Sequence, residues 1–158
     1  MISFVKKLRE VSQIRTTYRA GLLQDKAYRV LKRNTASALE TYKISTVEWA
    51  YLGFIYDNPK GVRLITVAKT LGVEAPFVTD ITNKFLFHGT LVTTEADLKD
   101  KRAKLVKLSD TGRNFVDEVE IFLKGKIKPL LEDISPIDLA GYLSVLSRIV
   151  ENSSKDRK

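Results

Sequence analysis

Between Pro76 and Lys84 the chain sets out a hydroxyl, a carboxylate, an amide and an ammonium group: Thr79, Asp80, Asn83 and Lys84. At helical spacing these side chains share one face, and their donors and acceptors are of the kinds that meet base edges and phosphate oxygens. Val78, Ile81 and Phe85 fall on the opposite face and belong to a core. A second group follows at Lys99, Asp100, Lys101 and Arg102, where cations surround one carboxylate. Such a cluster suits a phosphate backbone or a minor groove. Other chemistry has no visible basis. There is no Ser-His-Asp set, no glycine loop to cradle a phosphate, and no carboxylate pair spaced for acid-base work, so the chain is not expected to be an enzyme.

The elements that must position these groups follow one another without a gap. Val67-Ala68 and Leu71 recur at helical spacing, Gly72 can take positive φ at a helix end, and Val73 plugs the corner of a turn. A second helix then starts near Ala75, with Pro76 in its first turn, where a missing N–H costs nothing. Gly89 ends it. Leu91 to Thr94 reads as a strand, and Ala103 to Leu108 alternates polar with apolar as a half-buried strand does. The loop Glu95 to Arg102 between them has no apolar anchor and is expected to project into solvent. Helix, turn, helix and basic hairpin in this order make a winged helix-turn-helix.

The flanks are helical. Phe4, Leu8, Val11, Ile14 and Tyr18 recur at helical spacing among Lys6, Lys7, Arg9, Arg15 and Arg19, which describes a basic amphipathic helix. It packs on a partner chain, or forms an extra DNA arm, or meets acidic lipid. Gly21 is expected to kink the helical pattern, which continues through Leu23, Ala27, Val30, Leu31, Ala38 and Leu39 to about Tyr42. Ser45 and Glu48 spell the capping box of the next helix, which carries Val47, Trp49, Leu52 and Phe54 or Ile55. After Thr111-Gly112 one helix carries Phe115, Val119, Phe122 and Leu123. A last one, entered through Ser135-Pro136, carries Leu139, Leu143, Leu146 and Val150. These stripes exceed what a small winged helix covers, so a symmetric dimer is expected. The fold class is mainly α with a small β-wing. One domain spans 1–158: an N-terminal dimerisation region at 1–42, the winged helix-turn-helix at 43–110, C-terminal dimerisation helices at 111–150 and a flexible tail at 151–158.

Composition agrees with a polyanionic partner. The 158 residues hold 27 Lys and Arg against 19 Asp and Glu, a net charge of +8. The absence of cysteine excludes disulfides, thiolate zinc sites and cysteine-based peroxide sensing. His88, alone of its type, suits a helix C-terminus or the surface better than a metal. No metal and no cofactor are expected. No apolar run reaches the length of a membrane span and no signal-peptide core is present, so a cytoplasmic, nucleoid-associated location is expected.

Over residues 22 to 150 the sequence resembles the MarR (multiple-antibiotic-resistance regulator) family of winged-helix transcription factors. The likeness is carried by Asp97, Lys99, Asp100, Lys101 and Arg102, in the register of the family's Asp-x-Arg-Asp-Arg-Arg wing, then Leu105-Val106-Lys107-Leu108-Ser109 and Thr111-Gly112. The resemblance implies a homodimeric, sequence-specific regulator, most often a repressor, on a near-palindromic DNA site. It places Pro76, Thr79, Asp80, Asn83 and Lys84 at the major groove. Lys99, Lys101 and Arg102 would grip backbone and minor groove, with Asp100 bracing Arg102. It also implies a small aromatic effector in a cleft for whose lining Tyr28, Tyr42 and Trp49, together with Tyr18 and Tyr51, are the candidates, although such residues equally serve as packing. Some positions depart from the family pattern. Phe77 and Asp80 stand where a hydroxyl residue and an arginine are usual, Arg63 where a small cap is common, and Thr90 is one residue extra. Lys99 and Lys101 replace arginines and lack the planar fork that reads guanine. The alternative reading is a winged helix that binds protein, or DNA without sequence preference.

Overall fold

The computed structural model describes residues 18–87, 90–97, 100 and 103–155. Helix α1 (Tyr18–Leu39) tightens into a 3₁₀ turn at Glu40–Tyr42, followed by α2 (Thr46–Tyr56), β1 (Val62–Arg63), α3 (Leu64–Leu71) and α4 (Ala75–Phe87). Then come β2 (Val92–Ala96), β3 (Lys104–Leu108), α5 (Asp110–Ile127), a 3₁₀ turn at Lys128–Leu131 and α6 (Pro136–Lys155). This is the mainly helical fold with a small β-wing that the sequence indicates. It falls into two compact units, one ending at Lys126 and one beginning at Ile127.

Helix boundaries follow local chemistry. Ser45 Oγ accepts from the Glu48 N–H at 3.2 Å while Glu48 Oε2 accepts from the Ser45 N–H at 2.7 Å. The capping box is therefore complete. Gly72, at φ +65, closes α3 with its N–H on the Ala68 and Lys69 carbonyls, the left-handed cap for which glycine carries no Cβ penalty. Ser109 caps α5 by accepting from the Gly112 N–H at 2.9 Å. Ser135 does the same for α6 through the Asp138 N–H at 3.1 Å.

The sheet has the order β1-β3-β2, antiparallel throughout. Val62 faces Val106, and β2 runs against β3 from Val92 opposite Leu108 to Ala96 opposite Lys104. The first unit buries Leu39 of α1, Tyr51, Leu52 and Ile55 of α2, Val67 and Ala68 of α3, and Val78, Ile81 and Phe85 of α4. Val92 and Val106 of the sheet and Val116, Val119 and Leu123 of α5 complete this core. In the second unit, none of the described side chains of α6 is buried.

Several expectations yield to the structure. Helix α1 passes through Gly21 without interruption, because nothing opposes glycine there and the flanking residues favour helix. The wing loop is shorter than the expected Glu95–Arg102: Glu95 and Ala96 belong to β2, opposite Leu105 and Lys104. Lys107 Nζ lies 2.6 Å from Glu95 Oε1, a cross-strand pair that favours the extension. The last helix runs to Lys155, past the expected start of the flexible tail at Glu151. The helical pattern of residues 1–17 lies outside the described residues.

Candidate nucleic-acid interface

Helix α4 divides sharply by burial. Val78, Ile81, Thr82 and Phe85 are buried, and Pro76, Phe77, Thr79, Asp80 and Asn83 are exposed. The inner face is held by polar as well as apolar contacts. Thr82 Oγ1 donates to the Val78 carbonyl at 2.7 Å. The Tyr51 hydroxyl, 2.8 Å from the same oxygen, therefore donates to Thr82. Burial pushes the Tyr51 phenol up to about 12, and its ring stacks on Phe85 with centroids 5.9 Å apart. Tyr51 is a floor beneath the helix and not a ligand-facing aromatic.

On the outer face the candidates differ in their freedom. Thr79 Oγ1 donates back to the Ala75 carbonyl at 3.2 Å, while Asp80 and Asn83 are exposed and make no side-chain hydrogen bond or ion pair among the described residues. Lys84 is engaged inside the domain: its Nζ lies 2.6 Å from Oε1 of Glu48, whose side chain is only 13% exposed. Glu48 thus closes the α2 capping box with one oxygen and holds α4 with the other. Desolvation opposes its ionisation, yet the Lys84 ammonium and the Ser45 N–H outweigh that and hold the carboxyl below its ordinary value.

Between α4 and the wing strands lies a cleft of about 310 Å³, lined by Leu64, Thr79, Thr82, Asn83, Leu86, Thr94 and Lys104. Its floor is apolar and its rim carries hydroxyls, an amide and an ammonium, a combination suited to a sugar-phosphate strand. Thr94 and Lys104 come from facing wing strands and share one face of the sheet, since Thr94 lies opposite Val106 and Lys104 opposite Ala96.

The wing is tied to the helix-turn-helix at its base. Arg63, which precedes α3, makes no capping bond. Its guanidinium instead puts Nε 2.7 Å and one terminal nitrogen 2.5 Å from Oδ2 of Asp97. Asp97 is 8% exposed while the Arg63 side chain keeps 39% of its surface in solvent, so water screens the pair from the arginine side only. The Asp97 N–H donates to the Ala103 carbonyl at 2.9 Å, and the Ala103 N–H to the Asp100 carbonyl at 2.8 Å. These bonds close the base of the wing and leave Asp100 exposed. Lys99, Lys101, Arg102 and His88 lie outside the described residues. Thr90, at φ +51, occupies the left-handed region, and its carbonyl accepts from the Ser109 hydroxyl at 2.5 Å.

The aromatic candidates are spread over the first unit. Tyr28 is 59% exposed on α1, with Lys32 Nζ 5.6 Å from its ring centre. Tyr42 meets Phe115 and Phe122 edge-on and donates to Glu118 Oε1 at 3.1 Å. Trp49 packs half-buried against the core. None of these lines the cleft beside α4. Sequence reasoning missed Glu48, Arg63, Thr94 and Lys104 as parts of the interface. Only Lys104, an exposed cation on a strand of alternating pattern, left a signal that pointed there.

No protein-family model matches the chain. Solved structures do. A MarR-family transcriptional regulator from Rhodococcus sp. RHA1 superposes with a TM-score of 0.73 at 18% identity, over 82% of this chain and 91% of that one. The chain has the MarR winged-helix fold. The Staphylococcus aureus MepR–DNA complex matches with a TM-score of 0.67 at 20% identity, over 86% of this chain and 98% of that one. CouR of Rhodococcus jostii RHA1, solved with p-coumaroyl-CoA, matches with a TM-score of 0.72 at 18% identity, over 82% and 90% of the two chains. In this MarR-type frame α3 and α4 are the helix-turn-helix pair and β2 with β3 is the wing. Among the described residues no helix is long and apolar enough to cross a membrane.

Proposed function

We propose that the protein is a DNA-binding transcriptional regulator that acts as a homodimer on a near-palindromic site, as a repressor. The observation that carries this reading is the exposed row Pro76, Thr79, Asp80 and Asn83 on α4, beside a cleft rimmed by wing residues Thr94 and Lys104. A groove-bound helix needs such a row for base edges, and the strand that flanks the groove needs such a rim. MepR, which shares the fold, has been solved on DNA, and the chain's net charge of +8 favours a polyanion.

Dimerisation is supported by apolar side chains left in solvent. Tyr18, Leu22 and Leu23 are 74%, 50% and 64% exposed on α1. On α6, Ile137, Leu143, Ile149 and Val150 are similarly bare. Burying such a face on a second copy is the economical remedy, and a symmetric pair would set two reading helices on successive turns of DNA. In this reading Lys99, Lys101 and Arg102 grip backbone and minor groove, with Asp100 orienting Arg102. The protein then works in the cytoplasm on the nucleoid. A small aromatic effector near Tyr28, Tyr42 and Trp49 would relieve DNA binding; CouR, of the same fold, was solved with such an aromatic thioester. Titrating phenolic acids against Trp49 fluorescence tests that last element, and a flat response across a broad panel removes it.

Selection of bound duplexes from a random pool, read by sequencing, tests the function itself. An enriched inverted repeat is expected. Folded protein that enriches nothing would instead be a nonspecific DNA binder or a protein-binding winged helix. On the selected site, Arg102→Ala is expected to weaken binding by about 1–3 kcal/mol and to flatten the salt dependence. Unchanged binding removes the wing from the reading.

A further inference from the structure

We infer that the outward face of α4 reads a thymine methyl through Phe77 and a cytosine amine through Asp80, and makes no guanine contact. The inference rests on the DNA-reading role proposed above and concerns what that surface selects.

The charge of the outward face is the starting point. At 3.6 residues per turn, Asp80 lies near the middle of the exposed arc, with Thr79 and Asn83 on the side of the wing cleft and Phe77 with Lys84 on the other. The cation among them is directed elsewhere, since Lys84 Nζ is 2.6 Å from Glu48 Oε1. Releasing it would strand a carboxylate that is 13% exposed, at the cost of an unpaired, partly buried charge. Guanine offers only acceptors in the major groove and is read by Arg or Lys. A face whose only free formal charge among the described residues of α4 is the Asp80 carboxylate repels those acceptors.

The remaining groups fit other edges. A carboxylate accepts from the exocyclic amine of cytosine, whereas the adenine amine stands beside the N7 acceptor and meets a carboxylate less well. Asn83, three residues on, has both a donor and an acceptor free for adenine. Phe77 keeps 43% of its surface exposed, while Phe85 on the opposite side of the helix is buried and Phe87, at the helix end, is exposed. An apolar ring on that edge matches the thymine C5 methyl, the apolar feature of the groove wall. From Phe77 to Asn83 the helix rises about 9 Å, roughly three base steps at about 3.4 Å each.

The test extends the pool selection to Asp80→Asn and Phe77→Ala, both exposed positions, with folding checked by circular dichroism. Wild type is expected to enrich an inverted repeat, and Asp80→Asn to lose preference at one C·G pair per half-site by about tenfold or more. Asp80→Asn should also bind random duplex more tightly, because a negative charge near the phosphates is gone. Replacing the paired guanine by 7-deazaguanine should leave wild-type binding unchanged. Deoxyuridine in place of one thymine per half-site should weaken wild type but not Phe77→Ala. If a repeat is enriched while both variants keep the wild-type profile, or 7-deazaguanine weakens binding, this inference falls and the regulator reading stands. If folded wild type enriches no repeat, the regulator reading falls and the inference with it.

Discussion

The winged helix and the terminal helices solve the problem of apolar surface in opposite ways. In the segment from α2 to β3 the large side chains close on one another: Tyr51, Leu52, Ile55, Val67, Val78, Val92 and Val106 are fully buried. Its buried polar atoms are all satisfied among the described residues. Helix α1 buries only Ala38 and Leu39 of its 22 residues, and α6 buries none of its described side chains. The winged helix is thus a finished object within one chain, while the flanking helices leave apolar surface uncovered. In the proposed function the first would read DNA and the second would assemble the dimer, so substitutions should affect one without the other.

The sharpest way to break that contrast is at Gly112. A Cβ there would sit 1.9 Å from the Leu91 carbonyl oxygen, backbone that cannot step aside. Gly112→Ala should cost about 3 kcal/mol or more in denaturant unfolding. A neutral result would mean that the winged helix is looser than its packing indicates. Arg63→Ala comes next, because it leaves the Asp97 carboxylate, 8% exposed, without its guanidinium. A loss of about 1–3 kcal/mol is expected, with hydrogen exchange accelerated in β2 and β3 before α4.

Glu48→Gln should act through pH. The folded-state carboxyl titrates below its ordinary value, so its contribution is present above the unfolded pKa of about 4.3 and is lost as pH falls through the folded value. Wild type should therefore lose its advantage over Glu48→Gln as the pH is lowered from about 5 to 3; parallel curves would place no stabilisation in the Glu48–Lys84 pair. The smallest change in folding is expected for Leu143→Asp, at a site 55% exposed: within about 0.5 kcal/mol for a single chain. Its effect belongs in sedimentation equilibrium, as a shift from the proposed dimer to monomer. An unchanged mass would take this face out of the interface.

What could be read in the sequence was whatever is encoded within a few residues. The capping box of Ser45 and Glu48, the left-handed Gly72 and the alternation of Lys104 to Leu108 each carry a local rule, and each is found. Strand β1 was not legible because Val62 and Arg63 are extended only through pairing with Val106 and Leu105, far along the chain. Both ion pairs of the interface share this property. Arg63 finds Asp97 across 34 residues and Lys84 finds Glu48 across 36, and no periodicity joins such partners. The chemical types at Thr79, Asp80 and Asn83 were visible from spacing alone, but whether Lys84 points outward depends on a carboxylate presented by another helix.

One residue of the wing root has a mechanical consequence. The Leu91 N–H donates to the Phe85 carbonyl at 2.9 Å, its own carbonyl accepts from the Ser109 N–H at 3.0 Å, and that carbonyl lies against Gly112. A single residue, through the two peptide units on either side of its Cα, therefore rivets the end of α4, the start of β2 and the first turn of α5. Packed this closely the joint has no slack. A swing of α5 would therefore be delivered to α4 as rotation about that rivet, so a force applied along the longer helix would arrive at the exposed row of α4 as a change of angle.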